Sequence, residues 1–121
     1  MVLFISPPFG NYINLPKTRS IKGSFTLEKR NGLFLQIIKT LRYSYLYNGW
    51  INKIGLRNNG IDWAINKYKN TNHIISICIL HEYEIDKFLK KILNKINLEL
   101  NISCPNTHET PINNNLHKFL N

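Results

Sequence analysis

Residues 73–80, "HIISICIL", form a nearly unbroken run of β-branched and other apolar residues, which is typical of a parallel strand covered on both faces. The next stretch, "HEYEIDKFLKKILNKI" at 81–96, repeats apolar residues at helical spacing, and its acidic start and basic end match the helix dipole. A further strand follows in "NLELNIS" at 97–103. The short connections predict a βαβ unit with parallel strands and a right-handed crossover. The predicted fold class is therefore α/β.

The other segments predict further strands and helices around this unit. We predict strands over 2–5 and 20–27, a loop at Pro7, Pro8 and Gly10, a helix over 33–47 that stops at Asn48-Gly49, and a short helix that places Ile61, Ala64, Ile65 and Tyr68 on one face. The stretch 105–121 is polar and rich in asparagine, which predicts a long loop. Because no repeat or linker divides the chain, we expect one domain over residues 1–121.

Length and composition suit one compact domain, with 121 residues and 43% hydrophobic content. No apolar run is long enough to span a bilayer, and "MVLFISPPF" lacks the basic start and the cleavage site of a secretory signal. We therefore expect a cytoplasmic protein with no membrane partner. The two cysteines, Cys78 and Cys104, are too few for a disulfide framework and are expected to be thiols, with Cys78 in the core.

The net charge of +9 and the pI near 9.7 raise the question of an anionic partner. The basic residues are spread through every segment, with no block of five or more. The chain is also rich in Asn, Ile, Lys and Tyr, whose codons are rich in A and T, so base composition explains much of the excess lysine. A basic nucleic-acid-binding domain is therefore a less favoured alternative.

Polar residues gather where the last predicted strand ends, which is where ligands bind in parallel α/β sheets. Alternation points Leu98, Leu100 and Ile102 toward the helices, and it leaves Glu99, Asn101 and Ser103 on a polar face. The carboxamides of Asn101 and Asn106 donate and accept hydrogen bonds, which suits a flat heterocycle, and the thiol of Cys104 could transfer a proton. On these residues alone a structural role is favoured, with Asn106 capping a turn and Cys104 inert.

Three segments, in the same order, resemble dihydroorotate dehydrogenases: "FTLEKRNG" at 25–32, "INKIGLRNNGID" at 51–62 and "ELNISCPN" at 99–106. The resemblance covers roughly residues 20–107 and only the first half of a family member. It implies a partial (β/α) barrel, with about four parallel strands and their covering helices, that stops after its fourth strand.

The resemblance also implies an activity and a set of site residues. In that family a flavin mononucleotide (FMN) takes hydride from dihydroorotate, a step of pyrimidine biosynthesis, while a base removes the neighbouring proton. Cys104 would be that base, as in the soluble branch of the family. The small-molecule pyrimidine substrate would be held by Asn52, Asn101, Asn106 and the backbone of Gly55 and Leu56, and the flavin would lie near Ser24, Asn52 and Asn101.

The chain also departs from the family pattern. Gly23 stands where soluble members usually have a lysine near the flavin, and alternation sends the adjacent Lys22 to the opposite face. The Gly23-Ser24 pair resembles the membrane-associated branch instead. The family's first helix is expected to be either missing or replaced by the segment "NYINLPKTRS", 11–20. The later lysine and the flavin phosphate site lie beyond the matched segments.

These departures leave two interpretations of the enzyme resemblance. The chain is either half of an oxidoreductase, as a fragment or a split gene product, or a non-catalytic remnant that assembles with a complementary half-barrel chain or a second copy.

Arg57 could attract an anionic substrate or be a solvated loop charge, and Trp50 and Trp63 are expected to pack rather than to stack on flavin. His73, His81, His108 and His117 lack metal-ligand spacing, so no metal site is predicted.

Overall fold

The computed structural model describes residues 1–92 and 96–102 of the chain. Its strands are β1 (Leu3–Ile5), β2 (Thr18–Phe25), β3 (Arg42–Ser44), β4 (Gly49–Ile51), β5 (Ile74–Ile77) and β6 (Leu98–Leu100), and its helices are α1 (Leu33–Thr40), α2 (Ile61–Tyr68) and α3 (Ile85–Lys91). The predictions for 93–95 and 103–121, including Ser103, Cys104 and Asn106, lie outside the described residues.

The described residues form a four-stranded sheet in the order β1-β2-β5-β6, and each neighbouring pair is parallel. The spatial order follows the chain order, so the sheet winds in one direction. A doubly wound sheet would instead reverse its strand order at a switch point. Winding in one direction is the arrangement of a (β/α) barrel, and the predicted partial barrel is confirmed.

The predicted βαβ unit is present as β5, α3 and β6. Ile75 lies opposite Leu98 and Ile77 opposite Leu100 in a parallel ladder. A 3-10 turn at Glu82–Glu84 leads into α3, and the Glu84 carboxylate accepts hydrogen bonds from the N–H groups of Leu80 at 2.9 Å and His81 at 3.2 Å. Those bonds satisfy backbone donors at the start of the helical segment.

The core lies between the helices and one face of the parallel sheet. Ile61 and Phe88 from the helices and Ile75 and Ile77 from β5 have no solvent-exposed surface. The core cluster consists of Phe25, Leu27, Ile61, Ala64, Ile75, Ile77 and Phe88. Full burial of each large apolar side chain stabilises the fold by roughly 1.5–3 kcal/mol. The predicted apolar face of α2 and the predicted burial of Cys78 are both confirmed.

The crossover from β1 to β2 contains a 3-10 turn at Phe9–Asn11 where a barrel ordinarily has a helix. Gly10 in this turn lies so close to the sheet that a Cβ would collide with the carbonyl oxygens of Ile5 and Ile21. The Asn11 side chain accepts a hydrogen bond from the Gly23 N–H at 2.8 Å. Of the two predicted alternatives, a missing or a replaced first helix, the structure shows replacement, because this turn covers the sheet at that place.

The prediction of one helix over 33–47 is wrong, because α1 ends at Thr40 and an antiparallel hairpin follows. Tyr43 pairs with Trp50 in that hairpin, and Asn48 has a positive φ of 47° in the turn. Asparagine tolerates this conformation, and Asn-Gly between short runs of β-formers is a strong hairpin signal. No residue of α1 is buried, so packing does not favour a longer helix.

In the part of the chain that the structure describes, no helix has the length and apolar character needed to cross a membrane.

Candidate functional site

A chain of hydrogen-bonding side chains joins three neighbouring strands near their carboxyl ends. The Asn101 Nδ2 donates to Ser24 Oγ at 2.8 Å, and Ser24 Oγ lies 3.3 Å from Ser76 Oγ. Ser24 comes from β2 and Ser76 from β5, and Asn101 directly follows β6. We call these three residues the strand-end cluster. It occupies the end of the sheet at which barrel proteins bind ligands.

A β-bulge in β2 turns the side chain of Ser24 toward Ser76. Lys22 lies opposite Ile75 and Phe25 opposite Ile77, so β2 carries one extra residue between these pairs. Gly23 sits in the bulge with a φ of 105°, which L side chains rarely adopt. Because of this extra residue, Phe25 enters the core while Ser24 faces Ser76.

Lys22 lies on the helix-covered face, away from the strand-end cluster. Its side chain is 3% exposed, and its ammonium donates to the Gly10 carbonyl at 2.5 Å and to Asn14 Oδ1 at 3.2 Å. Burial, and secondarily the charge of Lys67, lower the pKa of Lys22. The ammonium group of Lys22 therefore does not contact the strand-end cluster, in agreement with the prediction that Lys22 lies on the opposite face from Gly23.

Glu99 adds a carboxylate to the same face of the sheet as Ser76. The two residues are register partners in the parallel ladder between β5 and β6. The Oε2 atom of Glu99 is buried and has no hydrogen-bond partner among residues 1–92 and 96–102. A buried carboxylate oxygen ordinarily has a partner, so this atom marks an acceptor that a bound group could use.

Asn58 attaches the loop before α2 to the end of β2. Its Oδ1 accepts hydrogen bonds from the N–H groups of Gly60 at 2.8 Å and Thr26 at 3.2 Å, and its Nδ2 donates to Thr26 Oγ1 and the Leu56 carbonyl. The backbones of Asn58 and Arg30 exchange two more bonds. Sequence reasoning missed this role, although Asn58 lies within the matched motif at 51–62.

The other predicted substrate residues of this loop lie near its start. Asn52 is exposed, and its Oδ1 accepts a hydrogen bond from the Ile54 N–H at 3.3 Å. Gly55 has a φ of 59°, and Leu56 is held through its carbonyl by Asn58. The structure therefore joins Ser24 and Asn101 directly, whereas the described contacts of Asn52 stay within its own loop. Cys104 and Asn106 lie outside the described residues, and all these roles stay predictions.

The two tryptophans and Arg57 have different surroundings. Trp63 packs against Phe25, with ring centroids 5.9 Å apart, whereas Trp50 lies on the hairpin 5.6 Å from Tyr43. Arg57 donates to the Asn31 carbonyl at 3.2 Å. Within residues 1–92 and 96–102, no group of three or more His, Cys, Asp or Glu side chains could hold a metal ion.

A parallel sheet wound in one direction, with helices on one face and polar side chains at its carboxyl ends, defines a protein of the (β/α) barrel class. The family model for dihydroorotate dehydrogenase matches residues 12–118, and the chain belongs to that family. Neither a search of curated proteins nor a search of solved structures gave a significant match. The family predicted from the three motifs is confirmed.

Proposed function

We propose that this chain supplies flavin- and substrate-binding residues of a dihydroorotate dehydrogenase-type oxidoreductase, which converts dihydroorotate to orotate in pyrimidine biosynthesis. The observation that carries this proposal is the hydrogen bond between Asn101 and Ser24 at the strand ends. Asn101 lies in the third matched motif, and Ser24 directly precedes the first. A biosynthetic role of this kind fits a cytoplasmic location, which imaging of a tagged full-length chain tests.

The residues of the strand-end cluster fit a flavin ring in their hydrogen-bonding chemistry. Hydroxyl and carboxamide groups both donate and accept, as the N–H and C=O groups of the ring edge require. The unpartnered Oε2 of Glu99 offers a further acceptor beside Ser76. In this proposal Ser24, Asn52 and Asn101 hold the FMN, which when bound supplies the hydride acceptor.

The protein's own groups orient the substrate and move one proton. Asn52, Asn101 and Asn106 bind the pyrimidine ring and its carboxylate, and the backbone of Gly55 and Leu56 lies beside them. Asn58 holds that loop in place through its bonds to Thr26 and Gly60. Cys104, as a thiolate, accepts the proton from the carbon next to the one that loses hydride.

Flavin titration of the full chain tests this proposal. We expect FMN fluorescence to be quenched on binding. Ser24→Ala and Asn101→Ala should each weaken binding by about fivefold, because one hydrogen bond contributes about 1 kcal/mol. Cys104→Ser should bind FMN normally while dihydroorotate oxidation slows. Thr71→Ala, at an exposed turn, is the matched control. If the chain binds no FMN, alone or with a complementary half, the proposal is wrong.

A second proposal concerns the open edge of the sheet at β1. In the described residues β1 pairs with β2, and Leu3 and Phe4 are each more than half exposed. An uncovered strand edge is a template for pairing. We propose that a complementary half-barrel chain or a second copy covers it.

Sedimentation of the full chain and of Phe4→Lys tests this pairing. We expect a concentration-dependent dimer, or a heterocomplex with a complementary half, that the variant weakens. A monomer at all concentrations that also binds no FMN would instead identify a non-catalytic remnant.

A further inference from the structure

The segment 29–61 concentrates the positive charge of the chain. It contains six basic residues, Lys29, Arg30, Lys39, Arg42, Lys53 and Arg57, and no aspartate or glutamate. The whole chain has 16 basic and 7 acidic residues, so this segment supplies six of the nine net charges. No carboxylate within the segment neutralises them.

The same segment exposes a large apolar surface. Along α1, Phe34 is 74% exposed and Leu35 and Ile38 are each 60% exposed, and these three side chains share one side of the helix. Ile37 and Thr40, on the other side, are half-buried. The apolar stripe of α1 therefore faces away from the other residues that the structure describes, the reverse of an ordinary amphipathic surface helix.

The hairpin of β3 and β4 continues this surface with aromatic side chains. The ring of Tyr43 contacts Tyr45 at 5.2 Å and Trp50 at 5.6 Å, in edge-on geometry. Tyr45 is 90% exposed and Trp50 is 69% exposed. Tyrosine and tryptophan are the residues that favour the boundary between water and lipid.

Hydrogen bonds connect α1 and the hairpin at a cationic junction. The Lys53 N–H donates to Thr40 Oγ1 at 3.2 Å, and the Arg42 guanidinium donates to the Leu41 carbonyl at 3.0 Å. Lys39, Arg42 and Lys53 are all exposed at this junction. We call the surface formed by residues 33–53 the cationic apolar face.

Although the sequence predicts no membrane partner, we infer from this exposed surface that the cationic apolar face binds the surface of an anionic membrane. The exposed apolar and aromatic side chains enter the headgroup boundary, and the lysines and arginines lie near the lipid phosphates. A nucleic acid would match the charge and the aromatic rings, but aliphatic side chains such as Leu35 and Ile38 have no counterpart on stacked bases. With eight residues, α1 lies on such a surface and does not span it.

Cosedimentation of the full chain with lipid vesicles tests the inference. We expect binding to phosphatidylcholine vesicles that contain phosphatidylserine, little binding to pure phosphatidylcholine vesicles, and release by salt. Lys39→Glu combined with Lys53→Glu should weaken binding by more than tenfold, since each basic group near the surface contributes about 1 kcal/mol. Phe34→Ser combined with Ile38→Ser should weaken it without changing the charge.

The matched control is Lys87→Glu combined with Lys90→Glu, which makes the same charge change on exposed positions of α3. We expect this variant to retain most of the binding. Equal losses in the two lysine variants, or no loss on changing Phe34 and Ile38, would show attraction by net charge alone and overturn the inference. Binding to a single-stranded oligonucleotide with no binding to vesicles would overturn it as well.

Discussion

The Asn101 carboxamide donates a 2.8 Å hydrogen bond to the Ser24 hydroxyl, although 77 residues separate them along the chain. The contact exists because β5 lies between β2 and β6 and is parallel to both. It shows that two segments resembling one family in sequence are also neighbours in space. The candidate site is therefore a property of the sheet and not of one loop.

Replacement of Asn101 by alanine should lower the free energy of unfolding by about 1 kcal/mol, because the bond to Ser24 is lost. Urea denaturation of the full chain measures this change. Asn52→Ala serves as the control, since Asn52 is exposed and bonds within its own loop. We expect the control to stay within about 0.5 kcal/mol of the parent protein. An equal loss in both variants would contradict a specific role for the contact with Ser24.

Asn58→Ala should be more destabilising, by roughly 3 kcal/mol, because it leaves the N–H groups of Thr26 and Gly60 without their acceptor. Asn58→Asp keeps a carboxyl oxygen for these donors and loses the bonds to Thr26 Oγ1 and the Leu56 carbonyl. We therefore expect a smaller loss in the aspartate variant. Thermal denaturation ranks the stability of the two variants. If Asn58→Asp were the less stable one, the hydrogen bonds that Asn58 Nδ2 donates would contribute more to stability than those that Oδ1 accepts.

Gly23→Ala should cost about 1–3 kcal/mol of stability, because residue 23 has a φ of 105° and the new Cβ would meet the Phe25 ring. The strain should also disturb Ser24, which follows the bulge. Gly49→Ala is the matched control, since the nearest atom to its Cβ is the Tyr47 carbonyl oxygen at 3.7 Å. Similar unfolding midpoints for the two variants would contradict the importance of the bulge.

Acid should destabilise the protein through His73. Burial, and secondarily the charge of Lys22, lower the pKa of His73 below 6.5 in the folded chain. The unfolded chain therefore takes up the proton first, and stability falls as the pH drops from about 6.5 through the folded pKa. We expect His73→Asn to lose less stability over this range.

Urea unfolding of the parent and of His73→Asn at pH 7 and at pH 5 measures this difference. His81→Asn, changed at the start of the helical segment before α3, is the comparison. The prediction fails if the parent and His73→Asn have the same pH dependence.

Patterns that span one element predicted the fold well. The apolar run at 73–80 and the periodic run after it gave the βαβ unit, since a strand buried on both faces needs an unbroken apolar sequence. The helix over 33–47 was wrong because its apolar residues at helical spacing also fit a short helix followed by a strand. The pair Asn48-Gly49 is a hairpin signal as well as a helix stop, and local sequence does not distinguish the two.

The candidate site was harder to predict, because its members depend on strand register. Alternation correctly placed Asn101 on the polar face, away from Leu98 and Leu100. Simple alternation along β2 would put Lys22 and Ser24 on the same face, but the bulge at Gly23 separates them. The anchoring role of Asn58 depends on a bridge to Arg30, 28 residues earlier along the chain.

By itself, the sequence determined the α/β class, the family and the polar character of the last strand's end, because each depends on residue types at short spacing. The tertiary structure alone decided that Ser24, Ser76 and Asn101 form one hydrogen-bonded chain and that the apolar stripe of α1 faces outward. Both results depend on how distant segments pack. A parallel sheet brings together residues that local propensity cannot relate, and the direction of a helix face is set by the surface against which it lies.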